Sequence, residues 1–169
     1  NQEAVEFWEE CANSIEDRKL TKTRTYSFDS LRVAYRGMIK RMKSVNDMKY
    51  LADVATELQP AHVYIDDLGI SVSFNIFKKD LTHAYVSEKD CDVKMTSESL
   101  LNVIKNPWGF GTLMVNGRFQ ANYQTFRNFV SQTRLYYMNN IGKTFPESVT
   151  VTDIMNSSSL VNKLVSNTI

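Results

Sequence analysis

The sequence predicts an α+β domain: an antiparallel sheet of about four to five strands with helices packed on one face. Three observations carry this. Ile70, Val72, Phe74 and Ile76 alternate with Ser71, Ser73 and Asn75, the period of two of a half-buried strand. Leu31, Ala34, Tyr35, Met38, Ile39 and Met42 recur at the spacing of one buried helical face. Between Cys91 and Phe119 the chain reads as strand, capped helix, tight turn and strand.

Residues 2–16 read as a short helix with Val5, Trp8, Ala12 and Ile15 on one side and glutamates on the other. Arg18 to Thr25 is a polar linker. Ser27 or Asp29 then caps the long amphipathic helix, whose outer face carries Arg32, Arg36, Lys40 and Lys43. Asn46-Asp47 restarts a helix through Met48, Leu51, Val54, Ala55 and Leu58, which Pro60 stops because its ring nitrogen cannot donate. Strands follow at His62–Ile65, at Ile70–Ile76 after a turn at Asp66-Asp67-Leu68-Gly69, and at Leu81–Val86 after Lys78-Lys79-Asp80. Asp92-Val93-Lys94-Met95 is the next strand. Thr96 and Ser97 can cap a helix with Glu98 in its first turn, where a negative charge suits the dipole. Leu100, Leu101, Val103 and Ile104 form that helix's apolar side.

Pro107 is expected to end this helix and Gly109 and Gly111 to supply a turn. Thr112 to Phe119 should alternate again as a strand, with Gly117 marking a bulge or a close backbone approach. A second long helix starts near Thr125, with Phe126, Phe129, Val130, Thr133, Leu135, Tyr136 and Tyr137 on its broad apolar side and Gly142 at its C-terminus. After Phe145-Pro146 a last helix is expected from Thr152 or Asp153, burying Leu160, Val161, Leu164 and Val165. No repeat or linker divides the chain. One domain over 1–169 is expected, with a helical part (1–60), a sheet-and-helix core (61–135) and a C-terminal helical part (136–169).

The pieces Asp92–Thr96, Ser97–Ile104 and Leu113-Met114-Val115-Asn116-Gly117-Arg118-Phe119, with Val63–Val86 upstream, resemble a sterol-carrier-protein type 2-like lipid-binding domain over roughly residues 62 to 135. The loop Asn106-Pro107-Trp108-Gly109-Phe110-Gly111 departs from simple carriers, with two large aromatics in place of a short helix and a Gly-Lys turn. It looks more like the variant at the C-terminal end of bacterial metallo-β-lactamase-fold hydrolases. The resemblance implies a strand at Leu113–Phe119 bordering a lipid tunnel. It also implies an accessory domain beside a catalytic domain of the same chain. The chain opens Asn-Gln-Glu with no start Met, so it is expected to be cut from something longer.

At 169 residues, 43% hydrophobic and 23% charged, the chain can bury a sizeable core, and no apolar run approaches the ~20 residues that span a bilayer. Cys11 and Cys91 make no disulfide framework and read as free, packed thiols in a reducing compartment, hence the cytoplasm. The net charge of +1 hides an asymmetry. Residues 1–17 hold six acids and no Lys or Arg; residues 18–49 hold ten bases against Asp29 and Asp47. Either these are solvated, mutually neutralising faces, or Arg32, Arg36, Lys40 and Lys43 form a patch for anionic lipid head groups or an acidic partner.

Residues for chemistry are sparse. His62 and His83 sit in no ligand frame, so no metal or other cofactor is expected. Asp66-Asp67 with Gly69 reads as a turn rather than an acid–base pair. Trp108-Gly109-Phe110-Gly111 contains G-x-G but is expected to lead into a strand, which cannot present a phosphate to a helix N-terminus. No nucleophile–base pair is visible. The aromatics Trp108, Phe110, Phe119, Tyr123, Phe126 and Phe129 are not interleaved with Lys or Arg, which argues against nucleic acid. They read either as ordinary core or, with seven methionines, as the wall of an apolar-ligand pocket. The candidate wall is Trp108, Phe110, Met114, Phe119 and Phe126, with Arg118 for a polar head. The expected function is a non-catalytic module for a lipid or other apolar small molecule. The alternative is a structural docking or homodimerising domain with a filled core.

Overall fold

A computed structural model describes residues 2–13, 24–106 and 108–155. It opens with helices α1 (Gln2–Asn13), α2 (Phe28–Val45) and α3 (Met48–Val54), followed by strands β1 (Ala61–Ile65), β2 (Ile70–Phe74), β3 (Thr82–His83) and β4 (Val93–Met95). Helices α4 (Ser97–Lys105) and α5 (Gly109–Asn116), strand β5 (Gln120–Ala121) and helices α6 (Arg127–Asn139) and α7 (Val151–Met155) complete it. The expected α+β class with a five-stranded sheet holds. Ile15, Pro107, Leu160, Val161, Leu164 and Val165 lie outside the described residues.

The sheet order is β3-β2-β1-β4-β5, and it is mixed rather than wholly antiparallel. β1–β2, β2–β3 and β4–β5 pair antiparallel, but β4 lies parallel to β1, with Val63 beside Val93 and Ile65 beside Met95. The reason is positional. The β2–β3 hairpin occupies one side of β1, and the chain then crosses to the free edge. Strand β3 already runs in the direction of β1, so residues 84–92 must carry the chain back to the starting end of β1, where the Asp92 N–H donates to the His62 carbonyl, and β4 then leaves in the same direction as β1. Side-chain periodicity reports which face a residue takes, not strand direction, so this could not be read from the alternation.

Register places Ala61, Val63, Ile65, Val72, Phe74, Val93 and Met95 on one buried face, with His62, Tyr64, Ser71, Ser73 and Lys94 half-buried on the other. Helix α2 contributes Leu31, Tyr35, Met38, Ile39 and Met42 to the core, as its spacing predicts. Ser27 caps it, accepting from the Ser30 N–H. Tyr35 is fully buried, and its hydroxyl donates to the Asn75 carbonyl (2.6 Å) and accepts from the Asn75 N–H (3.2 Å). Burial, first, holds that phenol well above its ordinary range. Five of the methionines proposed as cavity lining, Met38, Met42, Met48, Met95 and Met138, are buried in this core.

The largest correction concerns residues 109–119. The expected strand Thr112–Phe119 is mostly helix α5, with only Gln120–Ala121 as strand beyond it. Short apolar runs fit either period, and Phe110 and Leu113, three apart, are the buried pair here. Gly109 explains the geometry. A Cβ on it would lie 2.0 Å from the Asn102 carbonyl oxygen, so only glycine lets α5 start against the backbone of α4. Gly117 is not a strand bulge. It closes α5 in the left-handed region (φ 61°), its N–H donating to the Leu113 carbonyl. The glycine pair therefore leads into a helix, contrary to expectation. Lesser differences are the shortening of the third strand to Thr82–His83 and the end of α3 at Val54.

Candidate functional site

Helix α5 is a ridge with a groove along each side. Gly111 and Val115, one helical turn apart, face the first groove with Trp108 and Tyr137, and Thr112 and Asn116 complete its lining. This groove is open and measures about 390 Å³. Trp108 is half-exposed, and its ring meets Tyr137 edge-on at 5.6 Å. The second groove, about 250 Å³, lies between α4 and α5 and is polar: Glu98, Ser99, Asn102 and Arg118 line it, again with Thr112 and Asn116. The two grooves thus meet over the Thr112 and Asn116 side chains. The arrangement sets an apolar slot beside a polar one ending in a guanidinium.

The proposed wall residues divide. Trp108 borders the apolar groove and Arg118 the polar one. Phe110 and Phe126 are buried, each 6.2 Å from the Phe129 ring, and Phe119 stacks on Phe126 at 5.2 Å with planes 14° apart. Met114 and Phe119 are partly buried against the same core. These four pack in or against the core and line neither groove. Tyr137, Val115, Gly111 and Thr112 were missed. Read as a helix, 109–116 would have paired Gly111 with Val115 and Thr112 with Asn116 at i, i+4, and the strand reading scattered them over two faces.

Hydrogen bonds fix α4 beneath this ridge. Thr96 caps it by accepting from the Ser99 N–H. The Asp67 carboxylate accepts from the Ser97 N–H (2.7 Å) and hydroxyl (2.6 Å), and Ser97 Oγ accepts from the Tyr26 N–H (2.8 Å). The Asp66-Asp67 turn is thus also an anchor for the helix. Asp92, buried, accepts from the His62 N–H (2.6 Å) and from Asn128 (3.1 Å), tying β1 to α6.

The basic stripe of α2 also divides. Arg32 grips Asp80 through Nη2 (2.6 Å) and Nε (3.3 Å) and touches Asp29, and Arg36 reaches Asp80 at 3.3 Å. The Arg32 hydrogen bond, above all, holds the Asp80 carboxyl below its ordinary range. Lys40 and Lys43 stay exposed, with no ion pair among the described residues.

Cys91 is buried, and burial, with help from Asp92, Asp90 and Glu88, pushes its thiol up to about 11. His83 packs on Phe28 at 4.4 Å. Among the described residues no group of three or more His, Cys, Asp or Glu is placed to hold a metal, and no helix is long and apolar enough to cross a membrane.

No family model matches the sequence, and no curated protein matches it. Among solved structures the chain is similar to one described as "UbiJ-SCP2 Ubiquinone synthesis protein", with 15% sequence identity and a TM-score of 0.37 over 64% of this chain and 94% of that one.

Proposed function

We propose that this chain is a non-catalytic module that holds an amphiphile across helix α5. Its acyl or other apolar part lies in the Trp108–Tyr137 groove and its polar head lies over Thr112 and Asn116 toward Arg118. The observation that carries this reading is the meeting of an apolar and a polar groove on one short helix. Small-molecule sites pair apolar walls with a few placed polar groups in this way. Arg118 is exposed and free to turn toward a carboxylate or phosphate.

Trp8 and Trp108 are the two tryptophans of the sequence, so Trp8→Phe makes Trp108 the sole reporter. Titrating that variant with dodecanoate should move the Trp108 emission to the blue as the half-exposed ring is covered. Gly111→Leu, which projects into the groove, should abolish the shift, and Arg118→Ala should weaken binding of the carboxylate more than of the parent alcohol. An unmoved spectrum together with a ligand-free mass in native mass spectrometry would sink the reading and favour a filled docking domain.

A further inference from the structure

A third groove, about 480 Å³, shares no lining residue with the α5 grooves and opens where α2, α3 and the loop after β2 meet. Lys43, Asn46, Asp47 and Lys49 form its polar side, and Ala52 and Phe77, above buried Met48 and Ile76, form its apolar side. The surrounding charge is one-sided. Phe77 is followed by exposed Lys78 and Lys79, and Asp80, next in line, is held by Arg32 and Arg36 of α2. The loop is therefore pinned to α2 at Asp80, and Lys78 and Lys79 fall along the chain between that contact and Phe77 of the groove. Lys40, Lys43, Lys49, Lys78 and Lys79 are exposed and make no ion pair among the described residues. Against them stand Asp47, which lines the groove and whose carboxylate accepts from the Tyr50 N–H at 2.9 Å, Asp53 on α3, and Glu147, two residues beyond Phe145, whose carbonyl accepts from the Asp47 N–H.

We infer that this face docks on an anionic lipid bilayer. An acidic protein would be met by the lysines alone. A bilayer surface also uses the accessible apolar side chains among them, Ala52 and Phe77, because its phosphates lie directly above hydrocarbon. Lysines suit the task, being flexible point charges that reach head groups without fixed geometry. The two arginines are engaged with Asp80, so the free charge is concentrated at the groove end of the stripe. This face is separate from the α5 ridge, and docking does not depend on what the ridge holds.

The test is co-sedimentation of the chain with vesicles of phosphatidylcholine alone and with added phosphatidylglycerol, at low and high salt. Binding should require phosphatidylglycerol and fall steeply with salt. Each lysine near an anionic surface contributes about fivefold in partitioning, so Lys43→Glu/Lys49→Glu/Lys78→Glu should lose more than about a hundredfold. All three side chains are exposed, and the corresponding triple Gln variant gives a milder loss if charge reversal disturbs the fold. Lys105→Glu, on α4, should bind as the parent does. Equal sedimentation with both vesicle types, no sedimentation with either, or full binding by the triple variant would each overturn the inference. The Trp108 response to dodecanoate should be unchanged in the triple variant, which separates this failure from failure of the ridge site.

Discussion

Helices α2 and α5 reach the same core by different means. In α2, periodicity, a serine cap and a long apolar stripe all favour one local structure, and tertiary packing only completes it. In α5, eight residues with two glycines have little helical preference of their own. That helix exists because Gly109 lets it press on α4, because Phe110 and Leu113 fill the space beside Phe129, and because Gly117 closes it. The contrast shows that a locally specified helix sets the frame, while a contact-specified helix shapes the surface. Both candidate ligand grooves lie on the second kind.

The strongest way to break this contrast is Gly109→Ala. A Cβ at 2.0 Å from a backbone oxygen cannot be relieved by side-chain motion, so the loss in urea unfolding should exceed about 3 kcal/mol. A loss under about 1 kcal/mol would mean that α5 can slide away from α4. On the α2 side, Tyr35→Phe keeps the ring but strands the Asn75 groups, and should cost about 1–3 kcal/mol. Two residues along from the sensitive glycine, Gly111→Ala should do the opposite. Its Cβ would rest 3.7 Å from the Tyr137 ring, an ordinary contact, and a helical glycine replaced by alanine should raise stability by about 0.5–1 kcal/mol. Opposite signs at two neighbouring glycines would sharpen the comparison considerably.

The smallest expected effect is pH-dependent and belongs to α2. Asp80 has a native pKa below its ordinary value of 3.8, chiefly through the Arg32 hydrogen bond. Its contribution to stability is therefore complete above the unfolded value and is lost as the pH falls through the native one. Asp80→Asn should flatten the acid limb of the unfolding midpoint below about pH 4 and leave neutral behaviour nearly intact, since the pair is partly solvated. A neutral-pH loss as large as that of Tyr35→Phe would show that the pair acts as a buried one.

What was legible follows the same division. The caps at Ser27 and Thr96, the alternation through β2 and the apolar stripe of α2 each depend on residues a few positions apart, and both capping side chains make the expected bonds. The Asp66-Asp67 turn was legible as a turn, whereas its bond to Ser97 spans 30 positions and has no local sign. Trp108 and Arg118 could be nominated for the site by residue type. Their partners Tyr137 and Asn102 could not, because the period of 109–116 decides who shares a groove, and a seven-residue apolar run is compatible with both periods.

By itself, then, the sequence determined the α+β class, the long amphipathic helix, the β1–β2 hairpin and the cap of α4, because these depend on interactions between near neighbours. Only the tertiary structure decided that β4 runs parallel to β1 and that residues 109–116 coil. It also decided that Phe110, Phe119 and Phe126 pack with the core and line neither groove. Strand direction depends on the end of β1 to which residues 84–92 return the chain, and the α5 helix depends on a backbone 7 positions away leaving room for a hydrogen atom and nothing larger.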